Sequence, residues 1–346
     1  MFKPWHDIIK EVFPIAYIMD SAFEYPIGPE GWQFNNRGQQ GEDLLDWFEP
    51  DYPWGKGHVF INLQDMVTGT ELVRLHDYLV AMNVPLEFVT VLCWPKRIQE
   101  QLPKNSFNVI NFSSHQYETW CSYKQSEDVL RDAFARDRKD FEFNWVCPQR
   151  IYKPHRAALH SVLRRYDFGN ISLQSKGIEL RYPSLTYEEY DRSYDNLVNL
   201  LAMKKNYNTA LFSIVSESQY SERYGIITEK TFNSIVAGMP FLIAGHRNSL
   251  RDVTEYGFVS YPNLFDESYD DADNRTRIKT MLESNNRFTR ERLSTVELQT
   301  YYDECSDLIE YNRNYFFEQF GDQLISELRL DLLNIWGHNP VGDSRF

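Results

Sequence analysis

The fold is decided by three neighbouring stretches, HVFINL (58–63), TELVRLHDYLVAM (70–82) and LEFVTVLC (86–93). The first and third are short apolar runs typical of buried strands, and the apolar residues between them recur at the spacing of an amphipathic helix. A strand, a helix and a second strand in this order predict a βαβ unit with parallel strands. FNVINF (107–112) predicts a further strand after a charged connector.

The same alternation returns after a charged helical stretch at 126–142. The later predicted elements are a strand at 143–149, a helix at 155–166, a strand at 210–218, a helix at 227–238, a strand at 239–245 and a helical tail from about 290 to 336. Ligands of open α/β sheets bind at the carboxyl ends of the strands. We therefore predict an α/β fold with two Rossmann-like domains, 1–139 and 140–346, facing a central cleft.

Length and composition are those of a two-domain globular protein. A chain of 346 residues exceeds the usual size of one hydrophobic core. Hydrophobic residues make up 42% and charged residues 25%, which argues against a disordered or fibrous chain. The formal net charge of −14 disfavours nonspecific binding to nucleic acid, although a local basic groove is compatible with it.

No apolar run approaches the roughly 20 residues that span a bilayer, and charges interrupt the N-terminal segment MFKPWHDIIKEVF. We therefore expect no membrane span and a cytoplasmic protein. Its cysteines are scattered without metal-ligand spacing, so we expect reduced, buried thiols; they are Cys93, Cys121, Cys147 and Cys305.

The helix start at Thr228 carries the most informative chemistry. Thr228 is a good N-cap, and Glu229 and Lys230 follow it in the first turn. A lysine opposes the positive end of the helix dipole, and a bound diphosphate would explain its presence, since helix N-termini bind phosphate. The neighbouring carboxylate suits a ribose diol. The alternative is a solvated first turn without a ligand.

A second basic group precedes the helix predicted at 155–166. Its members are Arg150, Lys153, His155 and Arg156, and Pro154 fits the first helical turn. In βαβ architecture this turn and the one at Thr228 lie at the same edge of a sheet, so both can reach one anion. The alternative is a basic surface turn.

These segments resemble a known family. SIVSES (213–218) and YGIITEKTFNSIVAGMPFLIAG (224–245) resemble the donor-binding segment of the α1,3-fucosyltransferases, and IYKPHRAALHSVL (151–163) is similar to that family's helix with a donor-phosphate arginine. The resemblance implies a two-Rossmann GT-B architecture, an inverting reaction, a GDP-sugar donor and no required metal. The chain departs from the pattern at Ser218, where the family usually has Asn, which leaves a GDP- or UDP-linked sugar open.

The resemblance also implies roles for individual residues. Arg156 and Lys230 would hold the donor diphosphate, Glu229 the ribose hydroxyls, and Glu217 would line the sugar pocket. Tyr224 and Thr228 belong to the same donor-binding segment.

Sugar transfer also requires a base that deprotonates the acceptor hydroxyl. In an inverting enzyme of this type the N-terminal domain supplies it, and the candidates at predicted strand ends are Asp65, His115 and Glu118, with Asp65 preferred. The chain lacks a DxD motif at a plausible strand end, which favours metal-independent chemistry. The acidic cluster of Asp270, Asp271 and Asp273 is typical of a helix start, and the alternative is a metal site.

Three functional hypotheses follow. The first is a glycosyltransferase that moves a sugar from a nucleotide-diphosphate donor to a hydroxyl acceptor, such as a glycan. The second is a DNA-modifying glycosyltransferase of the phage type, acting on hydroxymethylated bases. The third is a non-catalytic protein that binds a nucleotide or a sugar.

Overall fold

A computed structural model describes residues 2–13, 16–20, 58–63, 69–93, 102–149, 153–171, 196–221 and 225–338. The described strands, in chain order, are β1 Ala16–Asp20, β2 His58–Asn62, β3 Val89–Cys93, β4 Asn108–Asn111, β5 Phe143–Cys147, β6 Gly169–Ile171, β7 Ala210–Ser216 and β8 Phe241–Ala244. The described helices are α1 Trp5–Val12, α2 Gly69–Ala81, α3 Ser114–Gln125, α4 Glu127–Ala133, α5 Pro154–Leu163, α6 Asn196–Ala202, α7 Lys204–Asn208, α8 Glu229–Val236, α9 Ser249–Glu255, α10 Arg277–Ser284, α11 Asn286–Thr289, α12 Thr295–Glu304, α13 Ser306–Tyr315 and α14 Gly321–His338.

The strands form two four-stranded sheets with the orders β1-β2-β3-β4 and β6-β5-β7-β8. Every strand pair in both sheets is parallel. Helices α2, α5 and α8 connect neighbouring parallel strands where the hydrophobic pattern predicts helices, and the α/β class with parallel sheets is confirmed.

The chain divides into two compact units, one of Met1–Glu118 with Asp322–Phe346 and one of Thr119–Gly321. These bounds differ from the division at residue 140 that the sequence predicts. Helix α4 belongs to the unit of the second sheet, and most of α14 belongs to the unit of the first, where Trp336 packs edge-on against Phe13 at 5.0 Å between ring centroids.

The core of the first unit explains why 70–82 forms a helix. Leu72, Leu75 and Leu79 lie on one face of α2 and are completely buried, and they pack with the β2 and β3 residues Val59 and Val91. Burying one leucine side chain stabilises the fold by roughly 1.5–3 kcal/mol, so this face holds the helix on the sheet.

Two crossover helices, α2 and α8, end in a left-handed residue. Asn83 follows α2 with φ of 54°, and Gly238 follows α8 with φ of 63°. After Asn83 the N–H of Val84 donates to the Leu79 carbonyl at 3.0 Å, and the corresponding bond follows Gly238 at the same length. This hydrogen-bond pattern closes a helix end and turns the chain toward the next strand.

Two strands lie outside the sequence predictions. β1 and the three-residue β6 have no counterpart among the predicted segments. Leu86–Phe88, predicted as the beginning of a strand, forms a tight helical turn before β3. In the part of the chain that the structure describes, no helix is both long and apolar enough to cross a membrane.

Candidate functional site

The order of the second sheet creates a crevice at the ends of two neighbouring strands. β5 and β7 are adjacent, but the connection from β5 leads to β6 on one side of the sheet and that from β7 leads to β8 on the other. Connections that diverge in this way leave an opening at the carboxyl ends of the two strands, where open α/β sheets bind ligands.

A pocket of about 200 Å³ lies at this point. Its lining includes the cationic side chains of Lys153, Arg156 and Lys230, together with the carboxylate of Glu229. Lys153 and Arg156 follow β5, whereas Glu229 and Lys230 follow β7. The volume suits a diphosphate with part of an attached group.

The start of α8 holds the ammonium group of Lys230 in place. Thr228 is the N-cap, and its Oγ1 accepts a hydrogen bond from the Lys230 backbone N–H at 3.4 Å. The Lys230 ammonium donates to Ser218 Oγ and Thr228 Oγ1, both at 3.1 Å, and to Glu229 Oε1 at 2.6 Å. An anion that binds Lys230 therefore competes with the adjacent carboxylate.

Behind the pocket, Glu217 joins the end of β7 to the start of α8. Its side chain is completely buried. Oε1 accepts from the Thr228 N–H at 3.1 Å and from Thr231 Oγ1 at 2.6 Å, while Oε2 accepts from Thr228 Oγ1 at 2.7 Å and from the Ser218 N–H at 3.2 Å. These four hydrogen bonds to one carboxylate define where α8 begins.

Lys153 and Arg156 are held by the carbonyl groups that follow β7. The Lys153 ammonium donates to Ser218 O at 2.6 Å. The buried Arg156 donates from Nη2 to Ser216 O at 3.3 Å and to Glu217 O at 3.2 Å. Burial, followed by the charges of Arg156 and Lys230, lowers the pKa of Lys153. The three cations therefore repel one another, and an anion between them relieves that repulsion.

His155 supports the same loop without carrying charge. Burial lowers its pKa to about 4, so the ring is neutral at pH 7. Its Nε2 donates to Glu217 O at 3.0 Å, which places the proton on that nitrogen. The ring stacks on Tyr220, with 5.2 Å between centroids and 10° between planes. His155 thus positions the loop after β7.

The pocket brings together three of the residues predicted to bind the donor, Arg156, Glu229 and Lys230. Glu217 and Thr228 lie buried behind it. Tyr224 and the basic Arg150 fall outside the described residues. The ligand roles given to all of these residues stay predictions.

Sequence reasoning missed the amides in the lining, which are Asn196, Asn199 and Asn233. Asn233 could have been predicted from the sequence, since it lies four residues after Glu229 and therefore on the same face of α8. Nothing in the sequence points to Asn196 and Asn199 as pocket residues, because α6 is remote in sequence from both helix starts.

The candidates for the base belong to the first unit. Asp65 lies outside the described residues. His115 is partly buried in the first turn of α3. Glu118 is exposed and accepts a hydrogen bond from Trp5 Nε1 at 3.2 Å. The catalytic role of each stays a prediction.

Two members of the acidic cluster accept hydrogen bonds from backbone N–H groups. Asp270 is buried and accepts from the N–H groups of Leu250 and Arg251 at 3.0 and 3.1 Å, so it caps α9, a distant helix in sequence. Asp273 accepts from the N–H of Arg275 at 2.7 Å, just before α10. Among the described residues, no group of three His, Cys, Asp or Glu side chains is placed to hold a metal ion.

No protein-family model matches the chain, and no curated protein matches it. Among solved structures, the crystal structure of an α1,3-fucosyltransferase is similar to this chain with a TM-score of 0.42 and 11% sequence identity, over 83% of this chain and 80% of the other. A similarity at this level shows no family, and the function is therefore argued from the pocket.

Proposed function

We propose that the protein is a glycosyltransferase that binds a nucleoside-diphosphate sugar in the pocket between β5 and β7. The observation that carries the proposal is the convergence of three cations from two helix starts on one pocket, where Glu229 is the carboxylate in the lining. A diphosphate is the ligand that such a charge distribution and two helix N-termini favour.

The transferred group is proposed from the sequence. The stretches around Glu217 and Thr228 resemble the donor-binding segment of α1,3-fucosyltransferases, which suggests a sugar attached to GDP or UDP. The strongly acidic chain disfavours DNA as the acceptor, so a glycan or another small hydroxyl acceptor is preferred.

Each pocket residue has a proposed part in the reaction. Lys230 and Arg156 bind the diphosphate, and Lys153 adds a third positive charge. When the bond between the anomeric carbon and the phosphate oxygen breaks, these cations stabilise the charge that develops on the leaving diphosphate. Glu229 releases Lys230 to the ligand and accepts hydrogen bonds from the ribose hydroxyls.

The second half of the reaction is the attack of the acceptor. As the acceptor hydroxyl attacks the anomeric carbon, a base from the N-terminal part of the chain takes its proton. The candidates for this base are Asp65, His115 and Glu118. Attack from the face opposite the leaving group inverts the configuration. We propose that the pocket cations replace a metal ion in this chemistry.

The donor assignment is tested by titration calorimetry with GDP and UDP. Lys230→Ala should weaken binding of the preferred nucleotide by about 10- to 100-fold, because one charged hydrogen bond contributes roughly 1.5–3 kcal/mol. Lys279→Ala is the matched control, since the Lys279 side chain is 71% exposed on α10. Unchanged affinity in Lys230→Ala, or no binding of either nucleotide to the wild type, contradicts the proposal.

Catalysis is tested by release of GDP or UDP from their sugar conjugates. Turnover that depends on a hydroxyl acceptor distinguishes a transferase from a nucleotide-binding protein without activity. Addition of hydroxymethylated DNA tests the phage-type alternative. Tight nucleotide binding without turnover in any mixture contradicts the transferase assignment.

A further inference from the structure

One buried tyrosine connects two helices that line the pocket. Tyr123, near the end of α3, is completely buried, and its ring packs against Phe316 with 6.1 Å between centroids. Its hydroxyl lies 2.5 Å from Asn233 Oδ1 on α8 and 3.3 Å from the backbone carbonyl of Asn196, the first residue of α6. The phenol has one proton, and the much shorter distance assigns it to Asn233 Oδ1.

The bond to Tyr123 orients the amide of Asn233. A phenol proton donated to Oδ1 occupies the oxygen side of the amide. Nδ2 and its two N–H groups then point away from Tyr123. Asn233 is partly buried and its side chain lines the pocket, so these donors are available to a ligand there.

The position of Asn233 along α8 indicates which part of a nucleotide it meets. The cations gather at the first turn, where Lys230 lies. Asn233 is one turn further, about 6 Å along the axis from Glu229 at 1.5 Å per residue. A nucleoside attached to a diphosphate at the helix start can reach this second turn, and Asn233 lines the same pocket as Lys230.

We propose that Asn233 binds an oxygen of the nucleoside part of the donor through Nδ2, and that Tyr123 is the residue that positions its amide. The inference rests on the proposed function, because it assumes a nucleoside diphosphate with its phosphates at Lys230. It adds a neutral amide contact to a pocket in which Lys153, Arg156 and Lys230 are proposed to bind the diphosphate and Glu229 the ribose.

The contact is tested by comparing GDP or UDP, whichever binds more tightly, with inorganic pyrophosphate. Asn233→Ala should weaken the nucleotide about tenfold and leave the affinity for pyrophosphate unchanged. Asn314→Ala is the control, because Asn314 is a helical asparagine of α13 whose amide bonds Glu310. Equal affinity of Asn233→Ala and wild type for the nucleotide overturns the inference, and so does an equal loss for both ligands.

The positioning role is tested by a double-mutant cycle. Tyr123→Phe should weaken nucleotide binding about threefold in the wild-type background and have no effect in Asn233→Ala, because the hydroxyl acts through that amide. Tyr315→Phe is the matched control, since it also removes a buried hydroxyl group, one that bonds Tyr256 O at 2.7 Å. It should lower stability without changing affinity. Equal losses in both backgrounds overturn the positioning role.

The two proposals fail in different ways. If the wild type binds neither nucleotide, the proposed function fails and this inference falls with it. If the wild type binds a nucleotide in a manner that requires Lys230, while Asn233→Ala binds it equally well, the proposed function stands and the inference alone is wrong.

Discussion

Two crossovers, β2–α2–β3 in the first sheet and β7–α8–β8 in the second, end alike and begin differently. Both helices finish with a residue at positive φ, Asn83 or Gly238, and in both a proline follows two residues later. In their first turns both helices bury an apolar side chain, Leu72 of α2 and Phe232 of α8, and α8 in addition brings Lys230 to a pocket.

The start and the end of a crossover helix serve different purposes. The ends of α2 and α8 turn the chain toward the next strand through a residue at positive φ, which is a common way to end a helix. The start of such a helix lies at the edge of the sheet where ligands bind, and residues there can serve either the core or a ligand. The first turn of α8 serves both, because Phe232 packs in the core while Lys230 lines the pocket.

The largest effect is expected where the second crossover begins. Glu217→Ala removes a buried carboxylate with four donors and should lower the free energy of unfolding by about 3–5 kcal/mol, since each charged hydrogen bond contributes roughly 1.5–3 kcal/mol and the donors stay buried. The measurement is urea unfolding of the full chain.

The counterpart in the first sheet is Asn62→Ala. Asn62 is buried at the end of β2 and donates to Ser114 Oγ at 2.9 Å. Both groups in this hydrogen bond are uncharged, and its loss should lower the free energy of unfolding by about 1–2 kcal/mol. Similar losses in the two variants would mean that the strand ends do not differ as the structure indicates.

An intermediate effect concerns two buried histidines. Burial lowers the pKa of His58, which opens β2, and of His155 beside β7 to about 4. As the pH falls below the ordinary value of about 6.5, the unfolded chain takes up protons first. The stability from each neutral ring, about 3 kcal/mol, is complete above pH 6.5 and is lost as the pH falls from 6.5 through 4.

His58→Gln and His155→Gln test this sign. Glutamine keeps a donor without titrating, so each variant should lose less stability between pH 7 and pH 4 than the wild type. Thermal unfolding at a series of pH values measures the difference. A pH dependence identical to that of the wild type in either variant would show that the histidine concerned keeps its ordinary pKa in the fold.

The smallest effect tests the shared helix end. Gly238→Ala should lower the free energy of unfolding by about 1–2 kcal/mol, because positive φ is unfavourable for a residue with a Cβ, and that Cβ would meet Arg313 Cδ at 3.2 Å. Asn83→Ala should lose about 1 kcal/mol for the same steric reason. Asn83→Gly, the control, should change stability by less than about 0.5 kcal/mol. A neutral Asn83→Ala would contradict the likeness of the two ends.

The strands and helices that the sequence predicts correctly have a clear period. α2 and α8 are examples, because their apolar residues repeat every three or four positions over two or more turns. β6 has only three residues, too few to show a period. β1 lies in a segment rich in aromatic residues and proline, where no alternation is visible, and its place is decided by pairing with β2.

The residues of the candidate site also differ in whether a local sequence pattern predicts them. Glu229, Lys230 and Arg156 were predicted because each follows a recognisable helix start, and local rules describe such starts. The roles of Tyr123 and Asn196 were not predictable, since each depends on a contact with a helix far away in the chain. Asp270 shows the same limit, because an acidic residue that resembles a cap for its own segment caps α9 instead.

By itself, the sequence determined the alternation of strands and helices and the chemistry of two helix starts, because these depend on backbone geometry and on neighbours within a few residues. Only the tertiary structure decided that β5 and β7 lie side by side with connections leaving in opposite directions. That arrangement brings Lys153, Arg156 and Lys230 to one pocket. The pairing of distant strands depends on how the whole sheet packs beneath its helices, and no local pattern contains that information.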